Sequence, residues 1–213
     1  MIKYFTIYGE RNSGTKLLET IIRECFDLEL TWRFGYKHFF GHQKHKIKQE
    51  NRTLFLGIVR NPYNWINSMI KRPYHVPETN RKNIKNFLFN EWYSVYDEQK
   101  HGNNLGKEIY EDRYWINNTR HCNIFQMRQR KLLFLKKDMP NIAKNYYLVR
   151  YEDLCKNPNS TLSNINNIFR IQKSGHLCTQ IEKKSVNIEK RLKQIITKYI
   201  SWTEEYMFNY REE

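Results

Sequence analysis

Cysteine is scarce and scattered. Cys25, Cys122, Cys155 and Cys178 contain no C-x-x-C pair, which excludes a small disulfide scaffold and a zinc or dithiol site of the usual spacing. Four dispersed cysteines are expected to be free thiols in a reducing compartment. Long apolar runs are missing as well: none approaches the ~20 residues that span a bilayer. The N-terminus enters a strand-like segment without a charged-then-apolar leader, so the expectation is a cytoplasmic protein with no membrane partner. There is no internal repeat, low-complexity tract or linker. Acidic residues are outnumbered, 22 against 37 Lys+Arg, and the resulting +15 predicts attraction to anions. Asn, Lys and Ile abound throughout, so part of that charge reflects compositional bias. What is present is bulk: 39% hydrophobic and 15% aromatic residues exclude intrinsic disorder as the main state. A chain of 213 residues suits one domain, residues 1–213.

Residues 2–8, IKYFTIY, form an apolar, β-rich run, and after the loop GERNSG the spacing turns helical through Leu17, Leu18, Ile21, Ile22, Cys25 and Phe26. The pattern recurs at 53–59, TLFLGIV, followed by Asn61 and Pro62 at the positions that start a helix. A third run, 145–149, ends in Arg150-Tyr151-Glu152-Asp153-Leu154. Strands with little alternation are buried on both faces, so the fold class is α/β, with a parallel sheet covered by helices. Between Arg72 and Lys144 the pattern predicts a helical insertion with helices near 81–96 and 116–136. Ile188, Leu192, Ile195, Ile196, Tyr199 and Ile200 predict an amphipathic helix over 187–207 that docks on the sheet.

Two stretches carry chemistry. The loop Gly9-Glu10-Arg11-Asn12-Ser13-Gly14-Thr15-Lys16 lies between a buried strand and a helix, where backbone N–H groups and a helix N-terminus converge on an anion. A nucleoside-triphosphatase loop would end Gly-Lys-Ser/Thr, whereas Thr15 here precedes Lys16, which argues against a standard ATPase or kinase. The second stretch places Arg60 at a strand end and Ser68 eight residues later, nearly two turns into the following helix. Ligands bind outside the carboxyl ends of strands in open α/β sheets, so both sites could grip one ligand.

Together these motifs resemble the signature of sulfotransferases that use 3′-phosphoadenosine 5′-phosphosulfate (PAPS). Ser13-Gly14-Thr15 is similar to the family's 5′-phosphosulfate loop, Arg60 with Ser68 to its 3′-phosphate site, and Tyr151-Glu152-Asp153 to the segment near its adenine. The resemblance covers residues 2 to about 170. It implies a three-layer P-loop-like fold and transfer of a sulfuryl group from PAPS, leaving PAP, to a hydroxyl-bearing acceptor, with no metal required. It assigns Arg11, Asn12, Ser13, Gly14, Thr15, Lys16, Arg60, Ser68 and Tyr151 to the nucleotide.

The chain departs from the family at Asn12, which stands where many members carry the lysine that stabilises the leaving group. Arg11 is the expected replacement and Lys16 the substitute. Within RFGYKHFFGH, His38 is the candidate general base and Lys37 an added positive charge, with Glu10, Glu19 and His75 as fallback bases. His38, His42 and His45 share a metal-like spacing, but Gly41 and the surrounding lysines disfavour it. The basic run 118–137, with Arg120, Arg128, Arg130, Lys131, Lys136 and Lys137, is a solvated helix face or an acceptor groove for an anionic glycan; Asn123 and Arg128 are placed beside the cleft. Carbohydrate is the first acceptor candidate and a phenol the second. A nucleoside or nucleotide kinase and a non-catalytic nucleotide- or nucleic-acid-binding module are the competing readings. No recognised nucleic-acid motif supports the latter, and the kinase lacks an Asp where Arg60 stands.

Overall fold

The computed structural model describes residues 1–171, 174 and 187–212. Its first part runs β1 (Tyr4–Gly9), α1 (Thr15–Cys25), β2 (Glu29–Leu30), α2 (Lys44–Lys48), β3 (Thr53–Val59) and α3 (Pro62–Lys71). There follow α4 (Glu78–Arg81), α5 (Ile84–Phe89), α6 (Ile124–Leu133) and α7 (Met139–Ile142), then β4 (Tyr146–Arg150), α8 (Tyr151–Lys156), α9 (Pro158–Phe169), α10 (Lys190–Tyr199) and α11 (Trp202–Tyr206). The four strands form an all-parallel sheet in the order β2-β1-β3-β4, flanked by helices: the fold is α/β, with P-loop-like strand–loop–helix grammar at β1.

Strand β3 shows why its sequence is uninterruptedly apolar, because all seven residues are buried. Leu54, Leu56 and Ile58 face a cluster built with Leu18 and Ile22 of α1 and Ile165 of α9. Phe55 and Val59 face the opposite cluster, with Ile47 of α2, Leu132 of α6 and Met139 of α7. Burial on both faces produces three layers. A third core joins Trp65, Ile66 and Met69 of α3 to Phe87 and Leu88 of α5, Trp92, and Ile124 and Met127 of α6.

The strand register positions the site. Gly9 pairs opposite Ile58, and Val59 opposite Arg150, so the carboxyl ends of β1, β3 and β4 lie side by side. From β1 the chain passes to β2 on one side and to β3 on the other. The crevice between the ends of β1 and β3 is therefore a topological switch point, where ligands of such sheets bind.

Several expectations need correction. The stretch 81–96 holds only α4's last residue and α5, after which Trp92 and Val95 make antiparallel bridges to His121 and Glu108. Helix α6 begins at 124 rather than 116, because the Asn123 side chain caps it by accepting from the Gln126 N–H at 2.9 Å. The C-terminal helix is two: α10 ends where Ile200 turns extended, and the Trp202 indole donates to the Thr197 carbonyl at 2.9 Å. Leu192, Ile196 and Ile200 pack in the α3–α5–α6 core instead of docking on the sheet. The two-residue β2 was too short to stand out. Cys122 is an exposed thiol and Cys155 a buried one, but Cys25 is disulfide-bonded, against the expectation of four thiols; Cys178 lies outside the described residues. Among the described residues no helix is long and apolar enough to cross a membrane.

Candidate functional site

The loop after β1 is built around backbone that few residue types tolerate. Gly14, the N-cap of α1, sits at φ 99°, and a side chain there would place its Cβ 2.3 Å from Cδ2 of Tyr151. Glycine thus supplies both the left-handed turn and the space for the Tyr151 ring. Asn12 also takes positive φ, at 60°, a conformation asparagine bears better than most residues. The Ser13 hydroxyl points inward and donates to the Glu10 carbonyl at 2.5 Å, closing the loop on itself. Thr15 opens α1 from a buried position, and Lys16 beside it is exposed. The loop's free N–H groups at the start of α1 make the anion-seeking end of the helix.

Arg60 meets this loop from the neighbouring strand. Its Nη1 donates to the Asn12 carbonyl at 2.9 Å and to the Ser68 Oγ at 3.0 Å, and its guanidinium lies 4.6 Å from the centre of the Tyr151 ring. The local sequence enforces this: the Asn61 side chain caps α3 by accepting from the Tyr63 and Asn64 N–H groups, Pro62 starts the helix, and Ser68 comes round to the Arg60 side. Glu152 of α8 accepts from the Asn61 N–H and the Tyr210 hydroxyl, both at 2.8 Å, tying the β4 end to the β3 end. Asn12, Gly14, Arg60, Ser68 and Tyr151, separated by up to 139 positions in the chain, are thereby brought together.

His38 lies on the other side of the loop. Its Nδ1 is 2.7 Å from the Gly9 carbonyl, which can only accept, so Nδ1 carries the proton and Nε2 is the basic nitrogen. Burial holds its pKa well below the usual imidazole value; the Gly9 hydrogen bond opposes this, and the cations Arg11, Lys37 and Lys131 reinforce it. The ring is neutral at pH 7 and lines the cleft. Lys37 Nζ sits 3.6 Å from Glu19 and over the Trp32 and Tyr36 rings. Of the fallback bases, Glu19 is occupied with Lys37 and Arg23, and His75 pairs through Nδ1 with Asp97 at 2.9 Å.

Arg11, the expected stand-in for the family's loop lysine, is held mostly by the insertion. Its side chain is 1% exposed, and its guanidinium donates to Ser94 Oγ at 2.7 Å, the Tyr74 carbonyl at 3.2 Å and Asp112 Oδ2 at 3.3 Å. It is directed into the insertion, with Nε left without a hydrogen-bond partner, and it also borders the cleft. Lys16, Lys37, Arg60 and Arg72 line the same cleft. Asp112 also accepts from Lys131, whose Nζ lies 2.9 Å from Glu10 and donates to the His38 carbonyl at 2.7 Å. No motif spacing announces Asp112, Ser94 or Lys131. The one hint was a lysine inside a run whose other positions carry buried apolar residues.

The basic run does not form an acceptor groove. Arg128 is buried and forks onto Glu205 at 2.5 and 2.8 Å while donating to the Arg60 carbonyl, so it braces the β3 end from behind and does not border the cleft. Asn123 is a helix cap. Arg120 is held by Glu108 and Glu91, and Arg130 stacks on Tyr114. His42 bonds the Arg113 carbonyl and His45 contacts Gln49; among the described residues no group of three or more His, Cys, Asp or Glu could hold a metal ion.

The cleft bounded by Gly14, Lys16, Lys37, His38, Arg60 and Tyr151 has a volume of about 500 Å³. A second cavity of about 420 Å³ shares Tyr36, His75 and Glu98 with it and adds Phe39, Tyr96 and His101. The shared residues place the two cavities side by side.

No family model and no curated protein matches the chain. Among solved structures, a mouse sulfotransferase, SULT7A1, complexed with PAP is similar at 14% identity and a TM-score of 0.33. The match covers 96% of this chain and 65% of that one, so the chain spans about two thirds of the mouse protein's length.

Proposed function

We propose that the protein is a PAPS-dependent sulfotransferase acting on a hydroxyl acceptor. The observation that carries this reading is the convergence of Arg60, Ser68, the Asn12 carbonyl and the Tyr151 ring beside a glycine loop at the β1–β3 switch point. A cation with a hydroxyl partner 3.0 Å away suits one phosphate, a helix-start loop suits a second, and the half-buried Tyr151 ring at the cleft suits a base or ribose between them. PAPS supplies the sulfuryl group. Ser13, Gly14 and Thr15 would bind the 5′-phosphate through backbone N–H groups, Arg60 and Ser68 the 3′-phosphate, and Tyr151 the nucleoside.

His38 Nε2 would take the acceptor's hydroxyl proton as the oxygen bonds to sulfur and the bridging S–O bond breaks. Lys16, with Lys37, would face the charge released on that bridging oxygen, the role first given to Arg11. None of these residues needs a metal for its part. The adjoining ring-lined cavity would seat the acceptor, and a sugar ring can lie against Tyr36, Phe39 and Tyr96. Carbohydrate therefore remains our first acceptor class. The cytoplasmic placement rests on the sequence alone, and the Cys25 disulfide, a bond that persists in oxidising compartments, weighs against it.

The test is a calorimetric comparison of PAP, AMP, ADP and ATP with and without magnesium. PAP binding without magnesium, in preference to the others and weakened about 100-fold by Arg60→Ala, is the expected result. Absence of PAP binding, or magnesium-dependent preference for ATP, would overturn the proposal.

A further inference from the structure

Beneath the phosphate loop lie four charged side chains, Glu10, Arg11, Asp112 and Lys131, none more than 5% exposed. They come from the β1–α1 loop, the short turn at Tyr110–Asp112 and helix α6. Burying two cations and two anions sacrifices their hydration, and apolar replacements of similar shape are often equally stable. Overall stability is therefore a weak reason for this cluster, and its geometry suggests a better one.

The bonds close a ring. The Gly9 carbonyl accepts from His38 Nδ1, the His38 carbonyl accepts from Lys131 Nζ, and Lys131 Nζ reaches Glu10, the residue after Gly9. The Gly9 N–H also donates to the Lys37 carbonyl at 3.0 Å, so the two segments are stitched on both sides. Lys131 Nζ donates to the His38 carbonyl and to Asp112 and lies 2.9 Å from Glu10, a three-way contact that suits lysine's compact head better than a planar guanidinium. Asp112 in turn takes Lys131 on Oδ1, and Arg11 and Ser94 on Oδ2. His121 Nε2 donates to the Asp112 carbonyl at 3.0 Å, fixing the turn within the insertion.

We propose that Lys131 and Asp112 are positioning residues that hold the phosphate loop and the His38 imidazole in one fixed relation, so that the insertion completes the site from beneath. For what His38 does, this rests on the sulfuryl-transfer reading; the geometry stands apart from it. Removing the Lys131 ammonium opens the ring at two of its joints and frees the His38 main chain. It also removes one of three cations, with Arg11 and Lys37, that face the imidazole, whose other neighbour is the Tyr36 ring. The Glu10 and Asp112 carboxylates bind Lys131 itself. Without that cation the imidazole gains a proton at higher pH.

The experiment follows the histidine ring nitrogens of the full chain by long-range 15N NMR from pH 5 to 8, in the native protein, Lys131→Met and Ser94→Ala, alongside PAP affinity and kcat. The native His38 should hold one neutral tautomer with the proton on Nδ1. In Lys131→Met it should titrate at higher pH with mixed tautomers, while kcat falls about 100-fold, its acidic limb moves to higher pH, and KM for PAPS stays within about threefold. Ser94→Ala, which keeps every charge, should mix the His38 tautomers and lower kcat about fivefold with the titration unmoved, and decides the matter if Lys131→Met does not fold. An unchanged His38 spectrum in the folded variants overturns the positioning role. Failure of the native protein to bind PAP overturns the sulfotransferase reading instead, and the spectra still judge the positioning.

Discussion

Arg11 and Arg60 leave the carboxyl ends of adjacent parallel strands, yet one is buried in an ion cluster and the other faces the crevice. Arg60 stands directly at a strand end whose next residues start a helix, so its side chain stays over the sheet edge with Ser68 and Tyr151. Arg11 is the second residue of a loop that turns at Asn12, and the turn sends its side chain beneath the loop toward Ser94 and Asp112. The difference teaches that a cation in a glycine loop can serve the loop's shape through partners beneath it, while a neighbouring strand-end cation stays over the sheet edge. The upper region leaves Arg60, Lys16 and Lys37 at the cleft; the lower one is charge-balanced within itself.

The sharpest way to break this comparison is Asp112→Ala. It leaves Arg11 and Lys131 buried without their shared carboxylate and should destabilise the protein by about 3–5 kcal/mol in urea unfolding, as loss of one partner from a buried pair does. Arg60→Ala, in the half-buried crevice, should change the urea midpoint far less, and equal losses would refute the division into two regions.

A second difference is pH sensitivity. His121, within the insertion, is held neutral, mainly by burial, with its pKa pushed down to about 4, although the Asp112 charge opposes the shift. The unfolded chain binds that proton near pH 6.5 and the folded chain does not, so stability rises with pH across the interval and is lost as pH falls from 6.5 to 4. The loss from this residue is about 3 kcal/mol. Urea midpoints measured across that range should fall steeply in the native protein and less so in His121→Gln; parallel curves would show that the lower cluster is not the acid-sensitive part.

The smallest expected effect concerns the rim. Lys16→Met should lower kcat by about 100-fold with PAP affinity little changed, since the cation acts on charge that develops only during transfer. If Lys37→Met gives the loss and Lys16→Met does not, the leaving-group role passes to Lys37.

Much of the upper region was legible in the sequence. Apolar runs ending in Gly9, Arg60 and Arg150 marked three strands of a two-sided sheet, and the eight-residue interval from Arg60 to Ser68 put both on one crevice, because strand ends and helix turns are local and periodic. The two-residue β2 and the true starts of α5 and α6 were not legible, since side-chain caps at Asn83 and Asn123 and bridges between distant segments set them.

By itself, then, the sequence determined the α/β class, the parallel sheet and the pairing of Arg60 with Ser68, all of which follow from patterns within about ten residues. Only the tertiary structure decided which charges were available there. Arg11, Arg128 and Lys131 read as three more basic residues along the chain. Each is consumed by a carboxylate 77 to 121 positions away, or by one such as Asp112 that no motif marks, and a buried charge must find a partner wherever the fold brings one.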